Sequence, residues 1–419
     1  MSARVFEAAR IVTCDPQRPG ALGVVSPGVI VVDAGRVAFV GPPEQAPLLP
    51  PTTPRVVLGD RVVTPGLIDA HTHACWVGSR HDEYARRLAG ADYRAIASAG
   101  GGIQATYRAV ASSTEQELAD VLSDRLRRMA RLGVTTVEVK SGYGLEANHE
   151  RKQLLAIARA AREHGVPSVV PTLLALHALP PGVSDRAAYV AGVADRLVPE
   201  VAHDRLASFV DAYVDADAFR VTEARVVAEA ALKAGLGVRL HVGQFADVGG
   251  ASLAASLAAS SADHLEHVSP AGLDELARAG VTAVLLPVAS FTLAQAAPEV
   301  DAMRRAGVRL VVASDANPGT APTESLPLAL ALAARCYGLT PDEALLAATR
   351  NAAAALRLDD RGILRAGLRA DLVVWDFPHE HAIVAPWGTS KAFEVLVAGS
   401  APTPASAPEK ITERQDGGR

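Results

Sequence analysis

The chain has 419 residues, 49% hydrophobic and 21% charged, a composition that excludes intrinsic disorder over most of its length. At roughly 150 residues per domain that length allows about three domains, or one large barrel with an appendage. Lys and Arg total 41 against 46 Asp and Glu, so a net charge of -5 excludes the positive field that nucleic-acid binding needs and leaves a small or weakly charged partner.

In chain order, the first thirty residues hold no expected signal peptide, because Arg4, Glu7, Arg10 and Asp15 interrupt every apolar stretch. Short strands and turns follow. Strands at 29–32 and 37–40 flank Asp33-Ala34-Gly35-Arg36 as a hairpin, and strands at 56–58 and 62–64 come next. From residue 67 the pattern changes: apolar runs at 67–73, 134–140, 168–177, 207–214, 237–243, 261–266, 281–287 and 309–315 predict eight strands. Amphipathic helices fit between most of them, for example at 148–163 and 222–233. At Gly133, Gly165, Gly235, Gly280 and Gly307 a helical pattern ends and a β-branched or apolar run begins. Helices closed by a left-handed glycine and strands buried on both faces produce that pattern.

The economical fold is α/β, a (β/α)8 TIM-like barrel. An open doubly wound sheet competes, but no strand is followed by the glycine-rich fingerprint of a dinucleotide site. The apolar run after Pro327 stops at Arg335, well short of the roughly 18 residues of a membrane span. After two helices ending near Leu356, strand signals return at 370–375 and 393–397. Neither end alone buries a sheet face, so residues 1–65 and 364–400 are expected to build one small β-sandwich domain beside a 66–363 barrel. Residues 401–419, rich in Pro, Ala, Ser and charge, read as a disordered tail. Cys14, Cys75 and Cys336 are odd in number and far apart, which fits a reducing, cytoplasmic setting without a disulfide framework.

The strongest chemical signal is T-P-G-L-I-D-A-H-T-H, ending in His71 and His73. Residues i and i+2 of a strand share a face, so both imidazoles reach one metal ion from one strand end. Alone the H-x-H is weak, since strand histidines are more often ordinary polar residues. His241 closes L-G-V-R-L-H, His264 lies in S-A-D-H-L-E-H and Asp315 closes R-L-V-V-A-S-D. All fall at C-terminal ends of expected strands, where barrel enzymes assemble their sites. Singly, each reads as a structural histidine or a helix-capping aspartate. Together they offer imidazoles and a carboxylate to one divalent ion, with room for water.

On V-T-P-G-L-I-D-A-H-T-H, V-G-S-R, G-G-G-I, E-V-K-S-G-Y-G-L, A-L-H-A-L-P-P, S-A-D-H-L, D-A-N-P-G-T-A-P-T-E-S and A-D-L-V-V-W, the chain resembles the metal-dependent amidohydrolases. Within them it resembles the imidazolonepropionase family, over nearly the whole chain. The resemblance implies one zinc or iron ion per subunit held by His71, His73, His241 and Asp315. It also implies substrate contacts from Arg80, Tyr143, His177, Gln244, Asn317, Gly319 and Thr320. The implied reaction is hydrolysis of the cyclic amide C–N bond of 4-imidazolone-5-propanoate to N-formimidoyl-L-glutamate, in histidine degradation. The implied partner is that small molecule, with no nucleic acid and no membrane, and the family analogy extends to a homodimer.

Arg80 suits the propanoate tail as a bidentate partner, Tyr143, His177 and Asn317 suit the ring edges, and Gly319 permits close backbone approach. In the implied chemistry the ion acidifies a water and polarises the ring carbonyl. His264 orients that water and steadies the oxyanion, while Asp315 passes the proton to the leaving ring nitrogen. Gln244 stands where related deaminases carry a proton-shuttling Glu. A carboxamide cannot shuttle protons near neutral pH, which argues against deamination and leaves the proton route open. Lys140 reads as an ion-paired lysine rather than a carbamylated bridge between two metals. The competing readings are another mononuclear cyclic amidase or amino-heterocycle deaminase, and a metal-free scaffold; Arg80 with Tyr143 argues against the first, the intact ligand types against the second.

Overall fold

The computed structural model describes residues 3–90, 101–385 and 387–400. Eight strands form one sheet: Leu67–Asp69, Val134–Lys140, Ser168–Leu176, Phe209–Val214, Gly237–Val242, Ser261–His264, Thr282–Leu285 and Leu310–Val312. Each pairs in parallel with the next in sequence. A doubly wound sheet reverses strand order at a switch point, and this one does not. The ring closes just beyond the ends of its first and last strands. Asp315 N–H donates to His71 O at 3.1 Å and His73 N–H to Ala316 O at 3.1 Å. The fold is the expected (β/α)8 barrel.

The helices follow from local sequence. Glu115–Arg131 starts in a capping box, with Thr114 Oγ1 accepting from Glu117 N–H and the Glu117 carboxylate accepting from Thr114 N–H at 2.8 Å. The expected helices at 148–163 and 222–233 are Ala147–Ala160 and Val221–Lys233. All five glycines marked in the sequence carry positive φ, as left-handed helix ends require.

Several barrel strands stop short of the expected bounds. The first ends at Asp69 rather than 73, the sixth at His264 rather than 266 and the eighth at Val312 rather than 315. The backbone is left-handed at His264 (φ 82°), Leu265 (φ 74°) and Asp315 (φ 55°), outside the β region, so the ladder cannot continue through them. His71 and His73 therefore lie in the segment after their strand. They are positioned by the ring closure and by Lys140 N–H donating to Thr72 O at 3.0 Å, not by strand alternation.

Both chain ends build two further sheets. One orders Arg36–Gly41, Gly28–Asp33, Arg4–Ala8 and Arg55–Val57; the other orders Ala392–Leu396, Leu372–Trp375, Val62–Pro65, Arg10–Val12 and Val24–Val25. The expected hairpin turns through Ala34 (φ 47°) and Gly35 (φ 77°), the double positive φ of a tight type I′ loop. Phe6, Ile11, Ile30, Val63, Leu372, Val374 and Leu396 form one buried cluster shared by the sheets. Trp375 packs this unit on the barrel, where a Cβ at Gly133 would overlap its ring, while its Nε1–H donates within the unit to Thr64 Oγ1 at 2.8 Å. Residues 401–419 and Gly100 of G-G-G-I lie outside the described residues. Among the described residues no helix is long and apolar enough to cross a membrane.

Candidate active site

Three histidines converge at the C-terminal end of the barrel. His73 Nε2 lies 3.3 Å from both His71 Nε2 and His241 Nε2, and Asp315 Oδ1 approaches the Nε2 atoms of His71 at 3.5 Å and His73 at 3.4 Å. The opposite ring nitrogens fix the chemistry. His71 Nδ1 is 2.6 Å from Asp263 Oδ2 and His241 Nδ1 is 3.1 Å from Asp211 Oδ1. An ionised carboxylate only accepts, so each Nδ1 carries the proton and each Nε2 presents its lone pair to the common centre. Lone pairs aimed at one another in a buried site repel unless a cation lies between them. Burial, reinforced by neighbouring cations, holds His71 and His73 well below the ordinary histidine range, which keeps them in the neutral form that ligates metal.

The layer beneath is polar and buried. Lys140 Nζ donates to Glu138 Oε1 at 2.8 Å and Asp211 Oδ2 at 2.7 Å, the ion-paired arrangement expected for this lysine. Burial alone would lower its pKa, but the two carboxylates outweigh it and raise it. Arg239 donates to Ala70 O at 2.7 Å and to Asp263 Oδ2 at 3.1 Å. Three buried carboxylates thus face two buried cations here, and with Asp315 the cup favours a further positive charge. Asp315 is pushed up to about 7 by burial, against the pull of His264 and Asn317. The donor set fits zinc or iron. A second histidine group, His379, Glu380 and His381, has Glu380 already held by Arg10 at 2.7 and 2.6 Å.

The pocket wall is built on the same loops. His177 Nδ1 lies 2.7 Å from Gly142 O and so carries the proton, while its ring stacks on His73 at 5.3 Å between centroids. Burial lowers His177 to about 3, leaving Nε2 an acceptor. Tyr143 packs 6.0 Å from the His73 ring and 5.5 Å from His177. Its loop is held from the following helix: Glu150 accepts the N–H groups of Gly142 at 2.7 Å and Leu145 at 2.6 Å, and Gln153 Oε1 that of Tyr143 at 3.0 Å. Tyr213 O–H donates to Gln244 Oε1 at 2.8 Å, which turns the Gln244 amide group outward as a donor.

Arg80 is gripped by Glu83, through Nε at 3.0 Å and through a short Nη2 contact. A Cβ at Gly319 would overlap the Arg80 guanidinium and force it to shift from this position. Asn317 holds its own loop together: Oδ1 accepts from Gly319 N–H at 2.8 Å and Thr320 N–H at 2.7 Å, while Nδ2 donates to Asp315 Oδ2 and Thr320 Oγ1, each at 3.0 Å. His264 stays outside the three-histidine cluster, its ring 5.6 Å from His241 and 6.2 Å from His71.

Sequence reasoning missed Asp211, Tyr213, Asp263, Glu83 and Glu266. A signal existed for Asp211, since a charge inside the otherwise apolar strand Phe209–Val214 needs a partner there. A cavity of about 400 Å3 lined by Ser168, Val170, Phe209, Leu356, Arg357 and Arg361 sits at the opposite end of the barrel, away from this chemistry.

Residues 62–401 match the Amidohydrolase family. Similar solved structures include an adenosine deaminase from Xanthomonas campestris with bound zinc, at TM-score 0.73 and 20% identity over 96% of this chain and 92% of that one. Another is an atrazine chlorohydrolase from Arthrobacter aurescens complexed with zinc, at TM-score 0.69 and 16% identity over 96% and 97%. Those likenesses are of fold. The chain belongs to the amidohydrolase family. Sequence relatives narrow the class: the imidazolonepropionase of Acidiphilium cryptum is 46% identical over 374 residues, 89% of this chain and 92% of that one. That of Methylobacterium nodulans is 44% identical over 387 residues, 92% and 96%. Among the amidohydrolases, the chain is a member of the imidazolonepropionase family.

Proposed function

We propose that this chain hydrolyses the ring C–N bond of 4-imidazolone-5-propanoate to N-formimidoyl-L-glutamate, a step of histidine degradation. The observation that carries the reading is the convergence of the Nε2 atoms of His71, His73 and His241 and the Asp315 carboxylate beside a wall of Arg80, Tyr143, His177 and Gln244. His71, His73, His241 and Asp315 hold one zinc or iron ion per subunit, which when bound supplies an acidified water and a polarised ring carbonyl. His177 Nε2 accepts from a ring N–H, and the Gln244 amide group donates to a ring acceptor. Tyr143 packs against the substrate. The Arg80 guanidinium pairs with the propanoate, with Asn317, Gly319 and Thr320 shaping the loop behind it. His264 orients the water and steadies the developing oxyanion, and Asp315 carries the proton to the leaving nitrogen. Gln244, fixed by Tyr213, has no acid–base part.

The same reading takes residues 1–65 and 364–400 as one composite domain and 66–363 as the hydrolase barrel, working in the cytoplasm on a small molecule, with a homodimer by family analogy. Product analysis tests the assignment: N-formimidoyl-L-glutamate accumulates with the wild-type chain, and His264→Ala lowers its rate at least about 100-fold with metal content unchanged. A different product, or metal lost in step with activity, sinks the assignment of substrate or of His264 respectively.

A further inference from the structure

We propose that Glu266 is a positioning residue, which holds the His264 imidazole in one tautomer through a buried hydrogen-bond chain ending at Tyr337. The inference rests on the reading of His264 as the group that acts on the water and the oxyanion. His264 closes the sixth barrel strand, and the left-handed backbone at His264 and Leu265 turns the chain there. The turn brings the side chains of His264 and Glu266 face to face, 4% and 1% exposed, with Nδ1 and Oε2 separated by 3.6 Å. Neither atom has a hydrogen-bond partner among the described residues. A buried ring N–H and a buried carboxylate oxygen each cost energy when left unpaired, and each is the other's nearest remedy.

The other carboxylate oxygen sets the direction of the chain. Glu266 Oε1 lies 2.6 Å from Ser290 Oγ, and Ser290 Oγ lies 2.6 Å from the Tyr337 hydroxyl. A carboxylate only accepts and a serine hydroxyl has one proton, so Ser290 donates to Glu266 and Tyr337 donates to Ser290. Glu266 then has Oε2 left, and it accepts from His264 Nδ1–H. Whenever the His264 ring is neutral, this contact fixes it with Nε2 bare, able to accept a hydrogen bond from the attacking water. The logic is that of a carboxylate orienting a working histidine. It also supplies an orienter for the water on a barrel where Gln244 is locked as a donor by Tyr213.

The test uses the metal-loaded full chain. Glu266→Gln carries both a donor and an acceptor, so it no longer dictates the tautomer. It is expected to lower kcat about 10- to 100-fold, with KM within about twofold and metal content unchanged. In a His264→Asn background the same substitution is expected to cost less than about twofold more, because the residue it positions is gone. Tyr337→Phe, at the far end of the chain, is a milder variant that tests the link if Glu266→Gln fails to fold; it is expected to lower kcat a few-fold, again only when His264 is present. Full kcat in Glu266→Gln, equal losses in both backgrounds, or a loss confined to KM or metal content would overturn the proposal. If His264→Asn alone keeps full turnover, the underlying reading of His264 falls and this one with it. If His264→Asn is inactive while Glu266→Gln is normal, only the positioning role falls.

Discussion

Arg80 shows how far a single side chain depends on its neighbours. Glu83 occupies Nε and Nη2, the missing Cβ of Gly319 makes room for the rest of the group, and Arg87 donates to Gly319 O at 2.6 Å. The guanidinium is therefore held in one orientation before any substrate arrives, which reduces the ordering cost of binding. Glu83→Gln is expected to raise KM for 4-imidazolone-5-propanoate about 10-fold while kcat stays within about twofold, since the contact it supports is made equally in ground and transition states. Steady-state kinetics check this, and a matching fall in kcat would place Arg80 at the reacting centre instead. At this scale the convergence of His71, His73 and His241 was legible because an H-x-H and a strand-ending His fall at or just past barrel strand ends. Asp211 and Asp263 were missed: an acid in the apolar strand Phe209–Val214 signals only that some partner is needed, no spacing names His241 as that partner, and Asp263 in Ser-Ala-Asp-His lacks even that signal. Asn317 had the right residue type for a ring contact, but its hydrogen bonds to Asp315, Gly319 and Thr320 appear only in three dimensions.

The loop 141–145 is the element on which Tyr143 depends, and it hangs from Glu150 of the helix Ala147–Ala160. Burial raises the Glu150 carboxyl to about 7, although Ser141 and the loop N–H groups pull it down. Between the ordinary glutamate range and about 7, the folded chain keeps a proton that the unfolded chain has lost. This group's contribution to stability is thus full below that window and declines as pH rises through it, by up to about 1.4 kcal/mol per pH unit. Glu150→Gln has no such proton. Its stability relative to wild type is expected to improve from about pH 5 to about pH 7 in denaturant unfolding, and a difference that stays flat would contradict the shift. Element existence was readable because glycine marks the helix ends and the strands are continuously apolar. Strand ends were not, because the apolar pattern runs past the ladder, into Leu265 where the backbone turns left-handed and, in the eighth strand, beyond its last paired residue Val312.

Across the whole molecule, the barrel places its polar interior beneath one end and the two sheets from the chain termini against another part of its surface. Arg365 grips Asp15 and Arg10 grips Glu380, so the N-terminal strands are tied to the chain after the barrel. The composite unit was legible from its short strands at both ends; its strand order was not, since pairing of Val62–Pro65 with both Arg10–Val12 and Leu372–Trp375 is a long-range choice. The anionic cup under the histidines is likewise a property of the assembled barrel, drawn from several strands. We propose that this cup serves the metal ion with which the chain opens the ring of 4-imidazolone-5-propanoate. The direct measurement is the loss of that substrate's ultraviolet absorbance with the purified chain, before chelation, after it, and after zinc or iron is returned. Turnover that disappears with the metal and comes back with it is the predicted result. Turnover indifferent to chelation, or none from a folded and metal-loaded chain, would contradict a metal-dependent ring opening.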